Sequence, residues 1–392
     1  MSIMQIPSIE VEQRISLLQS RLQGDGIDGA LFVYPVDIFY FTGTRQNSSL
    51  WVPASGAPML LVRRSFSRAQ TESLIADTRP FPSGRELPSL FSAGIRRIGF
   101  TFDVMPVQYY TYYAGLLAGR EFIDISRMNR ELRSVKSPWE RERLRVSGKR
   151  LAGVFAEVPQ VIERGMRETD LAAGVEYRLK KAGSEGNVRA RSFGQEMIGL
   201  TTSGYRAAVQ GGFDGPVTGK GISPASPYGP SLEPIQEGEP IMLDYAGIWD
   251  GYLADMSRIF VVGDMSPALK KAFAVACDIQ DRLADNLRPG ALCEDLYLTA
   301  VGMAKRAGLA GNFMGCSGEQ VRFVGHGLGL ELDEFPVLAK GFTEGLKEGQ
   351  AIALEPKFMF PGQGVVGIEN TYLVTAAGGE KLTILADDIV YA

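Results

Sequence analysis

Apolar and polar positions in the first third of the chain alternate between the period of a helix and that of a buried strand. Ile15, Leu17, Leu18 and Leu22 fall on one helical face, and the run Gly24-Asp25-Gly26 is typical of a helix end. Short apolar runs then predict strands, each near a further helical stretch, at residues 30–33, 59–62 and 98–100. This alternation predicts a small α/β domain over about residues 8–135.

A domain boundary is predicted where this pattern ends. Ser137 is suited to cap a helix, Pro138 to begin it and Glu140 to open its charged run. Because single cores stop growing near roughly 250–300 residues, we expect two domains, 1–135 and 136–392. The second domain shows three kinds of pattern: helical stretches at 140–163, 168–182 and 265–308, a Gly- and Pro-rich loop at 211–238, and strands with turns over the last eighty residues.

Composition narrows the class of protein. The chain has 45 acidic and 41 basic residues without a polybasic run, which argues against a nucleic-acid partner. Three cysteines, with no CxxC spacing, are typical of a reducing compartment. Neither a signal peptide nor an apolar run of about 20 residues is present, so we expect a cytoplasmic protein without a membrane partner. A single histidine excludes any mechanism that needs two imidazoles from one subunit.

Four acidic residues and that histidine form the candidate chemistry. Asp244 and Asp255 lie eleven residues apart on the arms of a predicted hairpin, where they can face each other. His326 stands between two glycines, which allow close backbone approach. Glu355 and Glu369 lie on two further strands joined by a turn at 361–364, so these two side chains can also meet.

Converging carboxylates need compensation by cations. Buried together and uncompensated, they would repel one another at a cost of several kcal/mol. Four carboxylates and one imidazole are too rich in oxygen for a structural zinc site. The set suits a hydrolytic centre of two Mn, Co, Fe or Zn ions roughly 3.5–4 Å apart, which activates a water molecule and polarises a carbonyl oxygen.

The spacing of these residues resembles that of a known family. The pattern Asp, ten residues, Asp-x-[Ser/Thr]-Arg is present from Asp244 to Arg258, and Gly-His-Gly-x-Gly at 325–329. A Glu-Pro pair at 355–356 and Glu369 complete the series. Segments 40–43, 51–53 and 133–137 resemble the family's N-terminal domain and linker. Nearly the whole chain therefore resembles the pita-bread metallopeptidases, which include Xaa-Pro aminopeptidase, prolidase, methionine aminopeptidase and creatinase.

The resemblance implies a fold, a set of roles and an activity. The fold would be α+β: a small N-terminal α/β (creatinase-like) domain before a C-terminal pita-bread catalytic domain. Asp244 would chelate one metal, His326 and Glu355 would bind the other, and Asp255 and Glu369 would bridge the two. The resemblance implies two divalent ions per subunit, with manganese first and cobalt, zinc or iron as alternatives. It also implies a homodimer that removes the N-terminal residue from Xaa-Pro peptides.

Two imidazoles usual in peptidases of this family are missing. The stretch 208–212 stands where one would follow Ser203-Gly204, and Asp333-Glu334-Phe335-Pro336 replaces the run that holds the other. We therefore take Asp333 and Glu334 as candidate catalytic residues, since an ionised Asp can act as a base or hold a cationic group but cannot donate to an oxyanion. Candidate replacement donors lie in or before the long loop: Gln210, Lys220 and Tyr228.

These departures leave alternatives open. The first is an Xaa-Pro peptidase with an altered proton path. The second is a metal-dependent hydrolase or lyase of the same fold acting on a small non-peptide substrate. A third, a non-catalytic interaction module, is disfavoured because it has no need of four converging acids.

Overall fold

The computed structural model describes residues 6–191, 199–213 and 215–392. They divide into two compact units. The first holds the described residues up to Arg133 together with Arg191, and the second holds 134–190 with the described residues from 199 onward. No helix within these ranges is long and apolar enough to cross a bilayer.

The first unit is built on a six-stranded mixed sheet. Its strand order is β4-β3-β2-β1-β5-β6, in which β1 pairs antiparallel with β2 and parallel with β5. The strands are β1 (Gly29–Phe32), β2 (Ser48–Pro53), β3 (Met59–Val62), β4 (Asp77–Pro80), β5 (Arg97–Phe100) and β6 (Glu121–Asp124). The helices are α1 (Ser8–Gly24), α2 (Pro35–Thr42), α3 (Phe66–Glu72), α4 (Val107–Leu116) and α5 (Ser126–Ser134), with 3-10 turns at Leu87–Leu90 and Phe102–Val104. The predicted helix and the three predicted strands are all present, but the predicted helical face is only partly correct: Ile15, Leu18 and Leu22 are buried, whereas Leu17 is 58% exposed.

The second unit contains the remaining elements. Its helices are α6 (Pro138–Glu157), α7 (Glu168–Lys181), α8 (Gly204–Ala207), α9 (Pro267–Asp285) and α10 (Cys293–Arg306), with 3-10 turns at Val158–Gln160 and Ala310–Asn312. Its strands are β7 (Leu200–Ser203), β8 (Ile241–Trp249), β9 (Tyr252–Val261), β10 (Phe323–Gly327), β11 (Glu334–Ala339), β12 (Ala351–Leu354), β13 (Lys357–Phe360), β14 (Gly364–Gly367), β15 (Asn370–Thr375), β16 (Gly378–Lys381) and β17 (Val390–Tyr391). They form sheets ordered β17-β9-β8-β7, β11-β10-β12-β15-β16 and β13-β14.

Helix α6 begins where the sequence predicts it. The Ser137 hydroxyl accepts from the backbone N–H of Glu140 at 3.1 Å, and the Glu140 carboxylate accepts from the backbone N–H of Ser137 at 3.0 Å. This capping box satisfies two backbone donors that a helix start would otherwise leave unpaired. The start of the second unit is therefore fixed by local chemistry.

Apolar cores cover the outer faces of the second unit's sheets. Leu151 and Phe155 of α6 pack with Tyr245 and Phe260 from β8 and β9, and α9 and α10 cover a larger cluster that includes Ile352. Because successive side chains of a strand point to opposite faces, the other faces are free for polar groups. The five candidate ligands lie on these strands or directly beside them.

Candidate metal centre

The hairpin of β8 and β9 carries the first two acids. Its turn places Asp250 at φ 54° and Gly251 at φ 83°, the left-handed pair that a two-residue hairpin loop favours. This turn pairs Asp244 with Ser257 and Ala246 with Asp255. The two carboxylates are therefore diagonal neighbours on one face, offset by two residues from the directly opposed pair that the sequence spacing suggests.

Glu355 and Glu369 lie opposite each other between two ladders. The ladder of β12 and β15 ends at Leu354 and Asn370, and that of β13 and β14 begins at Lys357 and Gly367. A backbone bridge, in which Ser257 N–H donates to Glu369 O at 3.3 Å, ties the hairpin of β8 and β9 to this pair. The four acids thus converge although they are distant in sequence.

His326 lies on β10, an inner strand of its sheet, and is paired with Ala353 on one side and Val337 on the other. A Cβ at Gly325 would lie 2.5 Å from Ala353 O, and one at Gly327 would lie 2.3 Å from Phe335 O. Both glycines are therefore required by the close approach of neighbouring backbone, as the sequence suggested.

The tautomer of His326 follows from its neighbours. Its Nδ1 lies 2.9 Å from Leu332 O, and since a carbonyl can only accept, Nδ1 carries the proton. When the ring is neutral, its Nε2 lone pair faces the acids, with Nε2 3.6 Å from Glu355 Oε1 and 3.9 Å from Glu369 Oε1. This is the orientation of a metal-ligating histidine fixed by a second partner.

The residues around His326 fit a divalent ion. Ligand atoms of Asp255, His326 and Glu369 all lie within 4.8 Å of one another. With metal–ligand distances of about 2.0–2.2 Å, atoms that share one ion are roughly 3–4 Å apart. Glu355 meets the same condition through the distance of 3.6 Å from its Oε1 to His326 Nε2.

Burial and mutual repulsion raise the pKa values of Asp255 and Glu369. Burial, together with the charge of Asp244, raises the pKa of Asp255 to about 7. Burial and the charge of Asp255 raise the pKa of Glu369 well above its usual range. Such carboxyls favour a bound cation because it removes the penalty of charging them.

Lys357, absent from the sequence prediction, lies among these acids. Its Nζ is 2.7 Å from Asp244 Oδ2, 2.9 Å from Glu355 Oε2 and 2.8 Å from Glu369 Oε2, and only 2% of its side chain is exposed. Burial lowers the pKa of the ammonium, but the charges of the three carboxylates outweigh it and hold the pKa well above its usual range. The sequence does indicate the direction of this side chain. Lys357 follows Glu355 by two residues in extended chain, so both side chains point to one face.

Hydrogen bonds behind the acids fix their backbone. Thr371 Oγ1 accepts from the N–H of Asp255 at 2.9 Å and donates to the carbonyl of the same residue at 2.9 Å. The buried Arg258 donates to Glu369 O at 3.0 Å and pairs with Asp387 at 2.8 Å. The Arg of the Asp-x-[Ser/Thr]-Arg pattern therefore supports the position of Glu369 from behind.

The two candidate catalytic residues have different surroundings. Asp333 lines a small cavity that is also lined by Asp244, Asp255, His326, Glu355 and Glu369. Glu334 is buried, lies 2.8 Å from Lys136 Nζ and accepts from the backbone N–H of Leu330 at 3.0 Å. Because these contacts occupy both of its oxygens, Glu334 holds a loop and a lysine in place, which leaves Asp333 as the acid facing the cavity.

The candidate replacement donors lie outside that cavity. Gln210 Nε2 donates to Cys316 O at 2.9 Å and lines a neighbouring pocket of about 570 Å³. Lys220 is exposed and pairs with Glu233. Tyr228 packs edge-on against Phe213 with ring centroids 5.6 Å apart. Among the described residues these three are thus committed elsewhere.

Comparison with known proteins agrees with this architecture. Residues 142–376 match the model of metallopeptidase family M24, and residues 14–135 match that of the creatinase/prolidase N-terminal domain. An Xaa-Pro dipeptidase of Pyrococcus furiosus is 24% identical over 95% of this chain and 98% of its own length.

Solved structures show the same fold. An Xaa-Pro dipeptidase from Bacillus anthracis superposes with a TM-score of 0.84 at 22% identity, covering 97% of this chain and all of its own. The dipeptidase PepE from Mycobacterium ulcerans gives 0.82 at 24% identity, with 99% of each chain covered. The protein has the creatinase-type N-terminal domain and the pita-bread domain that the sequence predicts. The chain belongs to metallopeptidase family M24.

Proposed function

We propose that this chain is a metal-dependent peptidase that removes the N-terminal residue from Xaa-Pro peptides. The observation that carries the proposal is the Nε2 lone pair of His326, aimed at Glu355 and Glu369 beside a cavity that Asp333 lines. Relatives of similar length named Xaa-Pro dipeptidase support the same substrate class.

Different residues would bind the metal ion and transfer protons. Asp255, His326, Glu355 and Glu369 would hold a divalent ion, for which we propose manganese, and the ion would activate water and polarise the scissile carbonyl. Asp333 would accept a proton or hold the substrate's N-terminal ammonium, because an ionised carboxylate only accepts. We also propose a homodimer in the cytoplasm.

The neighbouring pocket supports a short peptide with a free C-terminus. Arg322 and Lys340 line it, and no carboxylate of the described chain lies within ion-pair distance of either cation, although Glu319 lines the same pocket. A peptide carboxylate would be attracted to this end of the site.

The test compares cleavage of Xaa-Pro dipeptides, longer Xaa-Pro peptides and matched Xaa-Ala peptides after Mn²⁺ loading. We expect cleavage that requires Pro in the second position and disappears in His326→Ala. Cleavage that is equal for Xaa-Ala, or that survives in His326→Ala, would overturn the proposal.

A second candidate is a hydrolase or lyase of a small non-peptide substrate. It is favoured by the single histidine of the chain, which leaves the cavity without an imidazole to stabilise an oxyanion. Metal binding without cleavage of any peptide in the test above would favour this candidate.

A further inference from the structure

We propose that Lys357 is a built-in cation that takes the place of the second metal ion, so that the centre holds one divalent ion per chain. The inference builds on the metal site of the proposed function but not on its substrate. It replaces the pair of ions that the sequence predicts.

The N–H donors of Lys357 match the acceptors around it. An ammonium has three N–H donors and no acceptor. Lys357 directs them at three carboxylate oxygens, 2.7, 2.9 and 2.8 Å away on Asp244, Glu355 and Glu369. A metal ion bound by the same three oxygens would need the space that Nζ fills.

The two glutamates divide their carboxylate oxygens between two cation positions. Glu355 and Glu369 each turn Oε1 toward His326 and Oε2 toward Lys357. Each therefore bridges two cation positions, as in a two-metal centre. One position is next to an imidazole lone pair and the other already contains an ammonium.

The charge balance of the site also favours a single divalent ion. Four carboxylates carry four negative charges, while one ammonium with two divalent ions would bring five positive charges. The ammonium with a single divalent ion brings three, which leaves the four carboxylates in excess by one charge, whereas a second divalent ion would bury an excess of positive charge.

The Lys357 side chain is enclosed by its surroundings. Its side chain is 2% exposed, and its strand partner is Gly367, where an added Cβ would lie only 2.6 Å from Lys357 Cγ. The absence of a side chain at 367 thus makes space for the lysine stem. Moving the ammonium aside for a metal would bury it without partners, which is costly.

The experiment counts ions in the whole protein. After Mn²⁺ loading and gel filtration, elemental analysis should give one Mn per chain, and electron paramagnetic resonance should give the six-line signal of an isolated ion. Two ions per chain with a spin-coupled signal would overturn the proposal, and so would no bound ion.

Variants identify the residue responsible. Lys357→Ala should raise the count from one to two, whereas Lys357→Arg, which keeps the charge, should leave it at one. Lys270→Ala is a control, because Lys270 pairs with Asp264 away from the cavity, and it should leave the count at one. A folded Lys357→Ala protein that still binds one ion would overturn the role of Lys357, and if this variant does not fold, the wild-type count decides alone.

Xaa-Pro cleavage measured on the same samples separates the two proposals. One bound ion without cleavage would refute the proposed substrate class and retain the proposed role of Lys357.

Discussion

Glu369 places one carboxylate oxygen 2.8 Å from the ammonium of Lys357. Its other oxygen lies 3.9 Å from His326 Nε2. A single buried carboxylate therefore joins a fixed cation to the imidazole of the candidate metal site.

Removing the ammonium should destabilise the metal-free protein. Lys357→Met keeps much of the side-chain volume but leaves buried carboxylates unpaired, and loss of one partner of a buried pair costs about 3–5 kcal/mol. Urea unfolding in the presence of EDTA measures the loss, and added Mn²⁺ should recover part of it. Lys381→Met, which affects a half-exposed pair, should cost clearly less. Equal losses in the two variants would contradict the prediction.

His326→Ala should abolish metal binding. The variant removes the nitrogen ligand, and because even second-shell partners change metal affinity by about 10–100-fold, we expect at least about 100-fold weaker Mn²⁺ binding. Titration calorimetry checks the affinity, and cleavage should fall with it. Unchanged metal content would exclude His326 as a ligand.

Asp333→His should increase Xaa-Pro cleavage. Asp333 lines the cavity beside His326, and an imidazole there could donate to an oxyanion. One oxyanion donor is worth about 2.7–4 kcal/mol, so even a partly aligned imidazole should raise kcat by about tenfold or more. Glu334→Gln is the contrasting variant: it should mainly lower stability, because it weakens the buried pair with Lys136. No rise in kcat for Asp333→His would show that the missing donor does not limit the rate.

Arg258→Leu should weaken both folding and metal binding. The substitution removes the donor to Glu369 O and one of the two cations that pair with Asp387, which keeps Lys381, so the loss should be below the about 3–5 kcal/mol of a fully broken buried pair. Thermal unfolding and Mn²⁺ affinity would both report it. An unchanged Mn²⁺ affinity in a folded variant would contradict a role for Arg258 in positioning Glu369.

A pH effect is expected in the first unit at Asp103. Burial acts to raise the pKa of this carboxyl, but hydrogen bonds from Arg191 and Ser126 and the charge of Arg191 lower it overall. An acid with a lowered folded pKa stabilises the protein above its unfolded pKa of about 3.9, and this contribution is lost as pH falls through the folded value. Asp103→Asn should therefore be less stable than wild type at neutral pH, with a difference that shrinks below about pH 3 in acid-dependent unfolding. A difference independent of pH would contradict this.

The sequence predicts the helices, the strands and the acids of the candidate site. It does not predict the register of the hairpin strands or the ion pairs of the site. Spacing identified the hairpin that carries Asp244 and Asp255, but their diagonal offset depends on the turn at Asp250-Gly251, whose conformation sets the register. The ion pair of Glu334 could not be predicted from the sequence, because its partner Lys136 lies 198 residues away in the chain. Lys357 was overlooked although strand alternation with Glu355 predicts its direction, since only the folded sheet brings Asp244 to it.

The pairing of Lys357 with Gly367 across a two-stranded ladder has a consequence for how the protein matures. A metal ion must be captured from the cell, whereas this ammonium is synthesised with the chain and arrives when the strand pairs. One of the two cation positions, that of Lys357, is therefore filled as soon as the chain folds. The protein should reach its native state when metals are scarce and need only a single ion afterwards.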